Sequence, residues 1–129
     1  MNKFAQIVRY ILALILIVFG ANKIPFLNFL PPPGFEPGSP PDLYFQGLGA
    51  SGYFFLLLAL TEIGTGVLLA INKWVPLALV IYAPVALNIL LFHLTMAPAP
   101  DQGAPGYMVF LATAYLIYVN KDKYQSLLT

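Results

Sequence analysis

IVRYILALILIVFGANKI (residues 7–24) decides the fold of this chain. Its charged residues are Arg9 and Lys23, one near each end of a long apolar run. Further apolar runs follow, and the helices are predicted at about 4–24, 52–71, 74–96 and 105–119. The first three have the ~20 residues that a helix needs to cross ~30 Å of hydrocarbon, whereas the fourth, with roughly 15, is marginal. The pattern predicts an all-α, polytopic membrane protein with a bundle of four transmembrane helices.

The composition agrees with this fold class. Of the 129 residues, 60% are hydrophobic and 9% are charged, whereas about a quarter are charged in a typical soluble domain. The length suits a single membrane domain over 1–129, and a net charge of +1 gives no basic surface for nucleic acid. The absence of cysteine excludes disulfides, thiolate metal sites and cysteine-ligated clusters within the chain. We expect the lipid bilayer as a partner, and no metal site or covalently bound cofactor.

The basic residues predict the orientation in the membrane. With the N-terminus inside, the cytoplasmic side carries Lys3, Arg9, Lys73, Lys121 and Lys123. Only Lys23 then lies outside, which is the bias that the positive-inside rule describes. We therefore expect both termini in the cytoplasm. A competing interpretation takes the first run as a cleaved signal peptide, which would leave three spans and move the new N-terminus outside. The depth of Arg9 and a poor cleavage site argue against it.

The predicted outer loop, at about 25–51, is the longest connection. Its segment PPPGFEPGSPP (residues 31–41) is rich in proline, so we expect it to be extended. After it, Asp42 is predicted to N-cap a short helical turn over residues 43–48. This turn is largely apolar and lies either against the bilayer surface or over the bundle. It forms either an ordered outer cap or a lid over a pocket.

Ionisable groups at membrane depth are the candidate functional residues, because they are costly there. Glu62 lies near the midplane of the second span, with Thr65 on the same helical face. A carboxylate at that depth must be neutral, paired or hydrated. One interpretation is a bond from Glu62 to an arginine or asparagine that locks two helices together. The other is a carboxyl group that carries a proton or binds a headgroup.

Arg9 begins a stripe of residues at helical spacing on the first span, and the other members are Ala13, Leu16, Gly20 and Lys23. Small residues within the stripe predict an inward-facing packing surface. Arg9 either reaches the cytoplasmic interface or points up toward Glu62. Lys23 is predicted to anchor to headgroups at the outer end.

Two polar residues on the third span are further candidates. Asn88 is predicted to bond across helices, with Glu62 as the partner best matched in depth. His93 lies near the outer end and shares a face with Tyr82. It is interpreted as a hydrogen-bonded residue of the bundle or as part of a quinone or proton site near the outer surface. His93 and Lys23 are at matching depth and are both able to face one outer pocket.

Three segments resemble the DoxX family of small bacterial membrane proteins: FGANKI (19–24), LTEIGTGVLL (60–69) and PLALVIYAPVALNILLFHL (76–94). The resemblance covers nearly the whole chain except the proline-rich loop. It implies a four-helix protein of the bacterial inner membrane. The family takes its name from a subunit of an archaeal quinol-linked oxidase or thiosulfate:quinone oxidoreductase. By matching position, the residues carried over are Lys23, Glu62, Asn88 and His93.

The resemblance and the absence of a redox-capable set of side chains predict an accessory or scaffold subunit of a membrane redox or respiratory assembly. Such a subunit would be non-catalytic itself, within a quinone-linked oxidoreductase, and would bind other membrane subunits or copies of itself. It would hold a quinone or lipid between helices near Glu62 and Asn88. Two alternatives are open: a transporter or channel for a small lipophilic or protonated solute, and a purely structural membrane subunit.

Overall fold

The computed structural model describes residues 2–24, 34–96 and 100–128, and all the regular structure in these ranges is helical. The helices are α1 (Lys3–Asn22), α2 (Pro40–Ala50), α3 (Phe54–Ala70), α4 (Val75–Thr95), α5 (Pro100–Val119) and, after a 3₁₀ turn at Lys121–Tyr124, α6 (Gln125–Leu128). The prediction of an all-α fold is confirmed over these ranges. The four long helices begin and end close to the predicted limits, except that α5 begins at Pro100 instead of near residue 105.

The four long helices pack side by side in a closed ring. The most extensive contacts join α1 to α3 and α4 to α5, while α3 against α4 and α1 against α5 complete the ring. The largest fully buried side chains lie between these helices: Leu12, Leu16, Glu62, Leu69, Leu79, Tyr82 and Leu116. One carboxylate and one phenol are therefore the polar members of this fully buried set.

The outer surface of the bundle is apolar. Leu14 on α1, Leu60 on α3 and Leu111 on α5 are each at least 60% exposed. Large apolar side chains on a helix exterior are costly in water and suited to lipid or to another membrane protein. By length and composition, α1 and α4 are each able to cross a membrane.

Fewer helices qualify as membrane spans than the four predicted. Helices α2 and α3 meet at 90° and provide a third candidate if the pair is taken as one broken span. Helix α3 has 17 residues, and the apolar part of α5 is the shorter helix Gly106–Val119. Both fall below the length of α1 and α4, so the described residues give two to three candidate spans.

Contacts between helix ends bring the basic residues to one end of the bundle. Arg9 in α1 bonds to the last turn of α3, and the Tyr124 hydroxyl after α5 donates to the Pro76 carbonyl in α4 at 2.8 Å. The ring of Phe4 lies 5.3 Å from the ring of Tyr115. We call this end of the bundle the basic end, and its basic residues are Lys3, Arg9, Lys73, Lys121 and Lys123.

The turn between α3 and α4 lies at the basic end and is tight. Asn72 and Trp74 both have positive φ, at 56° and 54°. Asparagine tolerates this left-handed conformation, whereas a bulky residue such as tryptophan rarely adopts it. The Trp74 side chain is 68% exposed, so it projects away from the bundle.

Helix α2 replaces part of the predicted outer loop. It spans 11 residues, whereas the sequence predicted a short turn over 43–48. Proline is well suited to the first turn of a helix, which explains the start at Pro40. The predicted N-cap was wrong: Ser39 is the N-cap residue, and the Asp42 carboxylate accepts from the Gly38 N–H at 2.9 Å and from the Gln46 side chain at 2.9 Å. The predicted extended segment lies partly outside the described residues, which resume at residue 34.

Close approach of α1 and α3 depends on two glycines. A Cβ atom on Gly66 would lie 2.8 Å from Ile17 Cγ1 and 3.0 Å from the Ala13 carbonyl oxygen. A Cβ atom on Gly20 would lie 2.8 Å from Ile63 Cγ1. Small residues allow helices in membranes to gain van der Waals contact along their backbones. The predicted inward-facing stripe of α1 is confirmed by this packing.

Candidate functional site

An ion pair joins α1 to α3 inside the bundle. Lys23 Nζ lies 3.0 Å from Glu62 Oε1 and 3.1 Å from Oε2, and it also approaches the Phe19 carbonyl oxygen at 3.4 Å. Glu62 is 2% exposed, whereas Lys23 is 25% exposed. The backbone at Gly20 permits this approach, because a Cβ atom there would lie 3.1 Å from Glu62 Cβ. The carboxylate therefore has its counter-ion within the chain.

This pairing differs from the sequence predictions for both residues. Lys23 was predicted to anchor to headgroups, and Asn88 was predicted as the partner of Glu62. The structure instead turns the long lysine side chain toward the carboxylate. A lysine stem has enough reach to lie along apolar surface and bring its ammonium to a partner at another depth.

Tyr82 is a buried polar residue of α4, and its side chain is fully buried. The hydroxyl has no hydrogen-bond partner among the described residues. Thr65, one turn after Glu62, is also buried. Tyr82 and Thr65 are thus buried polar residues on α4 and α3.

Arg9 neither extends away from the bundle nor pairs with Glu62. It is 3% exposed, and its guanidinium donates to the carbonyl oxygens of Leu69 and, at 3.5 Å, Ala70. The last carbonyls of a helix lack intrahelical donors and carry partial negative charge. Arg9 therefore caps the C-terminus of α3 from the neighbouring helix. Its guanidinium also lies 4.2 Å from the centre of the Tyr10 ring.

Asn88 bonds to helix α2. Its Nδ2 donates to the Tyr44 hydroxyl at 2.7 Å, and the side chain is exposed. The structure therefore does not bring Asn88 together with Glu62. The predicted bond across helices exists, but its partner is a tyrosine that the sequence reasoning did not single out.

A group of aromatic rings surrounds Phe92 beneath α2. The Phe92 ring lies 5.2 Å from Tyr44, 5.5 Å from Phe45 and 6.0 Å from Phe35, measured between ring centres. These contacts show that α2 folds over the bundle, which was one of the two predicted positions. Aromatic pairs at such separations add stability beyond the burial of their area. Phe92 and Tyr44 are the residues that the sequence reasoning missed here, although the aromatic residues of 43–48 indicated an apolar face.

His93 packs between α4 and α5. Its ring lies 5.2 Å from Phe92 and 6.0 Å from Tyr107. A Cβ atom on Gly106 would overlap the imidazole, so the glycine makes room for it. Lys23 is bonded to Glu62 and His93 is packed among aromatic rings, so the described contacts do not bring these two residues to one pocket.

Several of the described polar residues link one helix of the bundle to another. Lys23 with Glu62 joins α1 to α3, Arg9 joins α1 to the end of α3, and Asn88 joins α4 to α2. Comparison of the sequence with protein-family models, with curated proteins and with solved structures gave no match.

Proposed function

We propose that this chain is an accessory subunit that scaffolds a redox or respiratory assembly in the bacterial inner membrane, the role implied by its resemblance to the DoxX family. The observation that carries the proposal is the internal pairing of its buried charges. Glu62 bonds to Lys23, and Arg9 bonds to the end of α3. Charges engaged in holding helices together favour a structural role over a carrier role for these groups.

The apolar exterior supports the same proposal. Leu14, Leu60 and Leu111 are exposed on three different helices. A small bundle with such a surface offers contact area to lipid and to the helices of larger subunits. In this proposal all four long helices cross the membrane, with α3 and α5 accommodated by local thinning of the bilayer or by neighbouring subunits.

The proposed orientation has the basic end in the cytoplasm. Five basic residues gather there, and the positive-inside rule favours such an end on the cytoplasmic side.

Because the chain has no cysteine, a single introduced cysteine reports on which side of the membrane its position lies, without background labelling. Gly47→Cys in α2 and Ser126→Cys near the C-terminus both alter exposed positions. In intact cells, an impermeant maleimide should label Gly47→Cys at once and Ser126→Cys only after permeabilisation. The reverse order contradicts the orientation.

Native mass spectrometry of mildly solubilised membranes tests the scaffold role. We expect the chain to be released together with larger redox subunits. It should be lost from them when exposed leucines of the bundle surface, such as Leu14 and Leu111, are changed to charged residues. A chain that is released alone, or only with copies of itself, contradicts the proposal. Exposed Leu127→Gln is a control that leaves the bundle surface unchanged.

A quinone or lipid held between helices is a second element of the proposal. The same spectra show such a ligand as added mass on the wild-type chain, and Glu62→Gln tests the contribution of the carboxylate. Wild-type protein without quinone, together with an unchanged spectrum for Glu62→Gln, removes the quinone from the proposal and leaves the scaffold role.

A further inference from the structure

Helix α4 exposes a regular stripe of residues along one side. The stripe runs through Val75–Thr95 at alternating intervals of four and three residues, and its members are Leu77, Ile81, Pro84, Asn88, Leu91 and Thr95. All six are exposed, and the large side chains of Leu77, Ile81 and Leu91 are exposed by about half. This spacing is the heptad repeat by which two helices pack along a common seam. We call these six residues the α4 stripe.

Apolar residues widen the α4 stripe on one flank. Val80, Leu87 and Leu94 follow each other there at intervals of seven residues, and all three are exposed. On the other flank Ala78 and Phe92 are buried, and α2 packs against Phe92. The stripe stays exposed with α2 in this position, so the described residues of the chain leave it uncovered.

Asn88 distinguishes the α4 stripe from an ordinary lipid-facing surface. It lies roughly 10 Å before the end of α4 at Thr95, which is inside the hydrocarbon when α4 crosses the membrane. A carboxamide has two N–H donors and an acceptor oxygen, and Asn88 uses one donor on the Tyr44 hydroxyl at 2.7 Å. Its second N–H and its oxygen make no bond among the described residues. In hydrocarbon these two atoms need a partner that both accepts and donates.

We propose that two copies of the chain dimerise along the α4 stripe, with the two Asn88 carboxamides paired across a two-fold axis. A second copy has the required chemistry, because each carboxamide donates its remaining N–H to the oxygen of the other. Both copies have the same orientation in a membrane, so the two α4 helices run parallel and each residue of the stripe meets its own counterpart. A single asparagine within an apolar heptad seam fixes the register and the number of helices.

The dimer goes beyond the accessory role, because it needs α4 in the membrane but no redox partner. The two proposals therefore fail separately in native mass spectrometry. An assembly that contains a single copy of the chain contradicts the dimer and leaves the scaffold role. Paired copies released without other subunits support the dimer and contradict the scaffold role.

Cysteine cross-linking in native membranes tests the seam, because the chain has no cysteine of its own. Leu77→Cys, Ile81→Cys and Leu91→Cys place each thiol opposite its counterpart, at a separation that a disulfide can bridge. We expect oxidation with copper–phenanthroline to convert these variants to dimers. Leu14→Cys on α1 and Leu111→Cys on α5 are more exposed, so random collision would favour them, yet they should give several-fold fewer dimers. Equal yields at all positions, or no dimers in the α4 variants, overturns the proposal.

Resonance energy transfer between labelled copies in lipid vesicles measures the contribution of Asn88. Asn88→Leu removes the carboxamide and should weaken dimerisation about 3- to 10-fold. Because this variant also loses the bond to Tyr44, the matched control is Tyr44→Phe, which loses the same bond and keeps the carboxamide. Tyr44→Phe should dimerise as the wild type does. Unchanged dimerisation of Asn88→Leu, or an equal weakening by Tyr44→Phe, contradicts the pairing of the two carboxamides.

Discussion

Arg9, in the first half of α1, donates from its guanidinium to the carbonyl oxygen of Leu69 in the last turn of α3. The two residues are 60 positions apart, and the bond fixes the relative height of the two helices. In a bilayer the last carbonyls of a helix are satisfied by such a donor, by N–H groups of the following turn, or by water that penetrates from the surface.

Replacement of Arg9 by methionine should therefore destabilise the bundle. The variant keeps the length of the side chain but removes the guanidinium donor, so that the Leu69 carbonyl keeps only the backbone N–H groups of the following turn, such as that of Asn72 at 3.3 Å. We expect the free energy of unfolding to fall by about 2 kcal/mol. Chemical denaturation in detergent micelles measures the loss. The exposed Lys3→Met is the control, and equal stability of the two variants would show that the cap contributes nothing.

Gly66→Ala should disrupt the contact between α1 and α3. Its Cβ would meet the backbone of α1, at 3.0 Å from the Ala13 carbonyl oxygen and 3.2 Å from the Ile17 nitrogen, and backbone cannot rotate away. We expect a loss of about 1–3 kcal/mol in the free energy of unfolding. Gly64→Ala, two residues earlier, has no atom within 4 Å of its Cβ and should be neutral or slightly stabilising. A tolerated Gly66→Ala would refute the close packing.

Lys23→Met should be more harmful than its partial exposure suggests. The substitution leaves the buried Glu62 carboxylate without its counter-ion. Breaking a fully buried ion pair typically lowers the free energy of unfolding by about 3–5 kcal/mol, and we expect a smaller loss here because Lys23 is partly exposed. Adding Glu62→Gln should restore part of the thermal stability, because a neutral amide replaces the unpaired charge. The exposed Lys73→Met serves as control. A double variant that is less stable than Lys23→Met would contradict the pairing.

Phe92→Ala should release α2 from the bundle. The variant removes the ring that Tyr44, Phe45 and Phe35 contact. We expect amide hydrogen exchange in Pro40–Ala50 to accelerate by about 10-fold or more, which corresponds to ~1.4 kcal/mol. Leu91→Ala, on the exposed side of the same helix, should leave this exchange unchanged. Equal exchange in both variants would indicate that the rings do not hold α2.

The pH dependence of stability should reflect Tyr124 at the basic end. Burial raises the pKa of its hydroxyl above the ordinary value of 10.0. Since the folded state holds this proton more tightly than the unfolded state, its contribution is complete below about pH 10 and is lost as pH rises beyond it. Tyr124→Phe should therefore flatten the fall in thermal midpoint above pH 10 relative to the wild type. Tyr118→Phe, at an exposed ring, should retain the wild-type profile.

The sequence predicted helices and their inner faces well because both depend on local patterns. The stripe of α1 that contains Ala13, Leu16 and Gly20 is buried as its spacing indicated. A helical period determines which residues share a face, and that property needs no knowledge of the other helices.

Pairing across helices was predicted poorly, and the reason is geometric. Depth was estimated by counting residues along each run, which neglects the vertical offset of the helices and the reach of a lysine side chain. Glu62 consequently received Asn88 as its expected partner, whereas it bonds to Lys23. Asn88 bonds to Tyr44 because α2 folds back over the C-terminal half of α4. A fold-back of this kind depends on tertiary contacts that no local pattern records.

Trp74 gives the unmodified protein an internal optical probe. The chain has a single tryptophan, and its exposed indole lies in the turn between α3 and α4. Selective excitation of indole therefore reports on that turn alone. Brominated acyl chains quench the tryptophan fluorescence when the indole enters the bilayer, whereas aqueous iodide quenches it when the indole faces water. The depth of the basic end in the bilayer is therefore measurable without any added label.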